Sequence, residues 1–220
     1  MAAPTRVQTI SIFSAGSGST IAVTLATTVT GNTYVVATGG NGTDRTIGMT
    51  TSAGVANFFP VIGTRVINGT VNRWADWWYA ANVVGGTTPT ITGTYNVATT
   101  ERKMNAHEIS GAHLEYPIDA KITATGTSTT PTASITTVDA ETIVCGYCDN
   151  NNSTTITAGS GYTLHDHIGG TFWACEDQQF TSAGAKTVDF TLGGSGAWLL
   201  TAVSIKKAEL KTAGAAWLKS

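Results

Sequence analysis

The chain has 220 residues, a formal net charge of −2 and a charged fraction of 12 %, about half the ~25 % of an average domain. It has no basic block to neutralise phosphates, so nucleic-acid binding is not expected, and no run of about 18 apolar residues offers a membrane helix. Thr, Ser, Asn and 25 glycines stand in place of charge; Thr suits a pleated strand with one wet face, while the Lys, Glu, Gln and Arg that cover long helices are scarce.

Read in chain order, residues 1–6 lack the charged-then-apolar layout of a signal peptide, so synthesis in the cytosol is the expectation. Residues 14–19 read as a turn, with "GSGST" (16–20) as a flexible hairpin loop. Ile21, Val23 and Leu25 then alternate with Ala22, Thr24 and Ala26, the period of a half-buried strand. Residues 34–37 are apolar on both faces, which suits a central strand, and residues 39–42 read as the turn after it.

Trp74, Trp77, Trp78 and Tyr79 form an aromatic concentration. Alternation sends Trp74 and Trp78 to one face and Trp77 and Tyr79 to the other. Two roles suit these rings: core or subunit packing, with Trp78 between sheets, and a platform for sugar faces, for which Trp74, Trp77 and Tyr79 are the candidates.

Residues 123–137 are rich in Thr and Ser and contain Pro131. They read either as a linker between two domains or as an exposed strand pair within one sandwich. The second is preferred, because neither half alone has a full set of core strands. Residues 141–148 read as a strand, so Cys145 and Cys148, three apart, point to opposite faces. Without a second C-x-x-C a zinc ribbon is not formed, and three cysteines do not make a full disulfide framework; buried thiols are expected.

His165 and His167 flank Asp166. Alternate strand residues share a face, so two imidazoles can meet one metal ion, with Cys175, Glu176 or Asp177 on an adjoining hairpin strand as a third ligand. The same pattern also occurs on exposed strands without a metal, and no metal or cofactor is expected. Val188, Phe190 and Leu192 alternate with polar neighbours, and residues 197–205 are again apolar on both faces. The intervening Gly-rich turns, with about a dozen short strands and no helical pattern, give an all-β antiparallel two-sheet sandwich.

Residues 1–207 are assigned to the sandwich and 208–220 to a C-terminal tail or arm. Leu210, Trp217 and Leu218 in that tail need covering, either on their own domain or on a neighbouring subunit. No nucleophile elbow or recognisable pair of acid/base carboxylates is present, so no catalytic residue is assigned and the protein is not expected to be an enzyme.

Four stretches, "NTYVVAT" (32–38), "ADWWYAANVVGG" (75–86), "AHEISGAH" (106–113) and "GSGAWLLTAVSIKK" (194–207), occur in an order that resembles a family of Thr/Gly-rich, jelly-roll-like β-sandwich domains. These domains belong to phage virion proteins (capsid decoration, fibre or tail) and bacterial surface proteins. The motifs are strand and turn signatures that bear on fold more than on role. The resemblance implies a non-enzymatic structural virion protein, assembled in the host cytoplasm into the virion. Its partners would be other virion proteins and itself, as a homo-oligomer, with no nucleic acid and no membrane. The alternative it implies is a carbohydrate-binding or adhesive module that meets host-surface glycans. The stretch "EYPIDAK" (115–121) and the tail depart from the family pattern.

Overall fold

The computed structural model describes residues 2–42, 46–52, 56–150, 155–166 and 172–209. The first half of the chain supplies β1 (Thr5–Thr24), β2 (Thr33–Asn41), β3 (Thr46–Thr51), β4 (Phe59–Pro60), β5 (Val66–Asn68), β6 (Arg73–Ala80) and β7 (Thr90–Ser110). The second half supplies β8 (Ile118–Ser128), β9 (Thr132–Thr137), β10 (Thr142–Asn150), β11 (Ile156–Ala158), β12 (Thr163–Asp166), β13 (Trp173–Phe180), β14 (Gly184–Leu192) and β15 (Gly196–Lys206). No helix among the described residues is long and apolar enough to cross a membrane.

All strand pairs named here are antiparallel. The first sheet runs β1-β7-β2-β6-β4, with β3 on β7 and β5 on β6. The second runs β12-β13-β10-β15-β8, and a third, smaller sheet runs β11-β14-β9. The sandwich expected from the alternation is present, and the third sheet adds a layer over the outer face of the second. Val35, Ala37, Trp77 and Ile109 of the first sheet pack on Ile143, Tyr147, Leu199 and Val203 of the second. On the other side of the second sheet, Val144, Cys148 and Leu200 pack on Ile135, Val188 and Phe190 of the third. The strands read as apolar on both faces, β2 and β15, are central in their sheets and covered on both sides.

The first sheet also covers its own outer face. Residues 5–15 of β1 pair with the second half of β7, whereas residues 20–24 pair with Thr90–Thr94, and register shifts lie between Ala15 and Thr20. At these bulges the paired strands bend over, so Ile21, Val23, Met49 and Ile91 pack against Tyr34, Trp74, Trp78 and Met104. The Tyr95 hydroxyl donates to the Lys103 carbonyl at 3.2 Å, although eight residues of extended strand span about 27 Å. The stretch read as a flexible loop, residues 16–20, is therefore a bulged part of a 20-residue strand. Arg102 holds it: its guanidinium lies where a Cβ on Gly18 would be and donates to the Thr20 carbonyl at 2.9 Å, Ser14 Oγ at 2.7 Å and the Gly16 carbonyl at 3.0 Å. Bulges commonly bend strands in this way.

The Thr/Ser-rich stretch holds the second half of β8 and all of β9. They do not pair with each other: β8 pairs with β15 and β9 with β14, so the chain crosses from the second sheet to the third near Pro131. All three cysteines are free and buried. Cys145 faces the first interface and Cys148 the second, the divergence that alternation predicts.

Candidate functional site

Two charged clusters lie buried between the first and second sheets, and a groove lies at the surface. The first cluster centres on Lys103 of β7 and Asp149 of β10, whose side chains are both fully buried. Lys103 Nζ donates to Asp149 Oδ2 at 2.6 Å, and the Tyr147 hydroxyl donates to the same oxygen at 3.0 Å. Glu101 Oε2 lies 3.6 Å from Lys103 Nζ and 2.8 Å from Arg73 Nη1, while Arg73 Nε lies 3.6 Å from Asp149 Oδ1. Burial lowers the Lys103 pKa and raises that of Asp149, because each charged form loses its hydration. Each cation here has a carboxylate in reach, the arrangement a buried charge requires.

The second cluster joins the sheets nearer the β1–β12 edge. His107 of β7, His165 of β12 and Asp177 of β13 place one ligand atom each within 4.8 Å of one another. Burial raises the Asp177 carboxyl, but the hydrogen bond from His165 and nearby positive charge, including Arg6, outweigh it and leave the pKa below the ordinary value. Asp177 is thus an acceptor, so His165 Nε2–H donates to its Oδ2 at 2.6 Å. Arg6 Nε reaches the same oxygen at 2.7 Å. His107 is fully buried and stacks near Trp77, with ring centroids 6.5 Å apart. Burial pushes its pKa down to about 3. Neither of its ring nitrogens has a hydrogen-bond partner among the described residues. The trio has a metal-compatible donor set, but Arg6 already supplies a positive charge at the one carboxylate.

Of the residues proposed for a metal, His165 and Asp177 do meet, as the hairpin geometry suggested. His167 lies outside the described residues. Glu176 points to the other side of β13, where its carboxyl oxygen Oε2 accepts from Gly159 N at 2.9 Å. His107 was not singled out from the sequence. Its signal was available: a His and a Glu embedded in a strand buried on both faces. Lys103 and Asp149 carried the same signal and were also passed over as a pair.

The aromatic concentration divides between two cores. Trp74 and Trp77 are fully buried and Trp78 is 8 % exposed, so the rings of Trp74 and Trp77 pack and offer no platform to a sugar. Trp74 and Trp78 face the folded-over flap, and Trp77 faces the second sheet. Tyr79 alone of the candidates reaches the surface. It lines a groove of about 460 Å³ with Phe59, Val84, Leu114 and Tyr116, and with Asn57, Asn82 and Glu115 at its polar parts. The Phe59 and Tyr79 rings lie 5.8 Å apart. Leu210, Trp217 and Leu218 lie outside the described residues.

The fold and these sites define an all-β, multi-sheet sandwich with charged pairs clamped between its layers. Comparison of the chain with known protein families, with curated proteins and with solved structures finds no match.

Proposed function

We propose that this chain is a non-enzymatic structural protein of a virion, a capsid decoration or other capsid- or tail-associated component, that works by packing against copies of itself and neighbouring subunits. The observation that carries the reading is the groove at the β4 edge of the first sheet. Phe59 is 55 % exposed and Tyr116 69 % exposed there, beside Val84 and Leu114. Exposed rings beside further apolar side chains, with polar groups at the margin, are the ingredients of a subunit contact.

The occupant we assign to it is the C-terminal tail of a second copy. The described chain leaves the sandwich close to this groove. Lys207 bridges Ala112, and Ala208 N donates to the Gly111 carbonyl at 2.9 Å, while Leu114 and Tyr116 line the groove only a few residues on. The segment that follows carries Leu210, Trp217 and Leu218, apolar groups that match an aromatic groove. Exchange of such tails between symmetric copies adds modest contacts into avid assembly. Removing residues 212–220 is expected to leave the melting temperature unchanged while reducing self-association in sedimentation velocity and incorporation into particles. Unchanged assembly by the truncated chain would overturn the tail's role.

A second reading is favoured by the same groove. The exposed rings of Phe59 and Tyr116 and the half-buried ring of Tyr79, next to Asn57, Asn82 and Glu115, are the ingredients of a glycan-binding cleft in an adhesive module. Selective binding on a glycan array, lost in Tyr79→Ala, would favour this reading over the structural one.

A further inference from the structure

We infer that Lys103 and Asp149 are joined by a spontaneously formed amide bond, a covalent cross-link between the first and second sheets. This goes beyond the proposed function and is independent of it. The two side chains come from facing sheets, both fully buried, and Nζ is hydrogen-bonded to Oδ2 at 2.6 Å, which holds the nitrogen beside the carboxyl carbon it must attack. Neither side chain has exposed surface, and the fully buried Tyr147 hydroxyl lies against Asp149.

The groups needed for condensation are in place. Transfer of one proton from the Lys103 ammonium to Asp149 converts the ion pair to a neutral amine and a carboxylic acid with no outside proton. Burial favours that neutral pair, since it lowers the pKa of Lys103 and raises that of Asp149. The Nζ lone pair then attacks Asp149 Cγ, forming the C–N bond. Negative charge develops on Oδ1, which lies 3.6 Å from Arg73 Nε, an electrostatic stabiliser of the tetrahedral intermediate. Glu101 Oε2, 3.6 Å from Nζ, takes a proton from the nitrogen and returns it to the departing oxygen. Tyr147 donates a hydrogen bond to that oxygen, Oδ2. The C–Oδ2 bond breaks, one water leaves, and Glu101 ends as it began. The product is a neutral amide, which costs less in a dry interior than the two ions it replaces.

The test is the intact mass of the purified full chain under denaturing conditions. The expected result is a mass lower than that of the sequence by one water. A tryptic map should then yield one branched peptide joining the segments of Lys103 and Asp149, with Lys103 resistant to acetylation in denaturant. The full sequence mass would overturn the inference. So would a lost water that maps elsewhere, such as a ring closure at Asp149–Asn150, in which case Lys103 would acetylate normally. Lys103→Met is expected to restore the full mass whether or not it folds. Glu101→Gln, which keeps the reactive pair, is expected to show an uncross-linked fraction that declines slowly with time. Cross-linking in that variant as complete as in the parent would remove Glu101 from the mechanism.

Discussion

A side chain at Gly39 would begin where the Tyr147 hydroxyl stands: an added Cβ would overlap that oxygen and lie 3.0 Å from the Trp74 carbonyl. Gly39 is on β2 of the first sheet and Tyr147 on β10 of the second, so the glycine lets one sheet receive the ring of the other. Gly39 and Gly40 were read as a turn; they are strand residues, and their lack of side chains serves this close approach. Tyr147 is fully buried between the sheets, packed among the side chains of both, so it has nowhere to retreat.

Gly39→Ala is therefore expected to destabilise the fold by about 1–3 kcal/mol through overpacking, read from urea midpoints. In Tyr147→Phe the obstructing oxygen is gone. The double variant should lose less than the sum of the two single losses, because the residues touch. Simple additivity would show that the contact does not limit packing here.

His107 predicts an acid limb in the stability profile. Its folded pKa is near 3 against an ordinary value of 6.5, so between these values the unfolded chain binds the extra proton. Stability from this group is complete above pH about 6.5 and falls as pH drops toward about 3. The groups facing it are Asp177, His165 and Arg6. Denaturation series between these limits should show a shallower acid slope for His107→Gln than for the parent, whatever its absolute stability. Because Arg6 supplies the cation at Asp177, treatment with EDTA should leave the melting temperature unchanged. A melting temperature that falls with EDTA and recovers with zinc would instead assign the trio to a metal.

Glu176 predicts the opposite slope. Burial pushes its pKa up to about 8 from 4.5, so the folded chain keeps a proton that the unfolded chain releases. Stability from this group therefore falls as pH rises from about 4.5 to about 8. Glu176→Gln, which keeps an acceptor for Gly159 N, should flatten the loss toward alkaline pH. An unchanged slope would mean that Glu176 is ionised in the fold.

The groove at the β4 edge gives a surface test. Phe59→Ser with Tyr116→Ser removes two rings that are each more than half exposed, and surface changes usually stay within about 0.5 kcal/mol. Thermal stability should hold while self-association in sedimentation velocity falls. Retained association would move the subunit contact to another face.

Much of the architecture was legible because strand periodicity is a local property. The alternation at Ile21, Val23 and Leu25, the two-sided burial of β2 and β15, and the divergence of Cys145 and Cys148 all follow from the period of two. The Gly/Ser stretch at 14–19 misled because glycine signals a turn and a bulge alike; the stacking of Arg102 on Gly18, set by a residue far along the chain, makes it a bulge. The aromatic cluster misled in a related way. Alternation separated Trp74 from Trp77 correctly, but only the folded-over flap buries the outward face.

The sequence by itself determined that this protein is all-β, which strands are central, and that its cysteines do not pair along one strand, since these depend on neighbours in the chain. Only the tertiary structure decided that Lys103 meets Asp149, that His107 meets His165 and Asp177, and that Gly39 receives Tyr147. Those contacts join residues on facing sheets, and the stacking of sheets is fixed by the fit of side chains far apart in sequence, which no local pattern records.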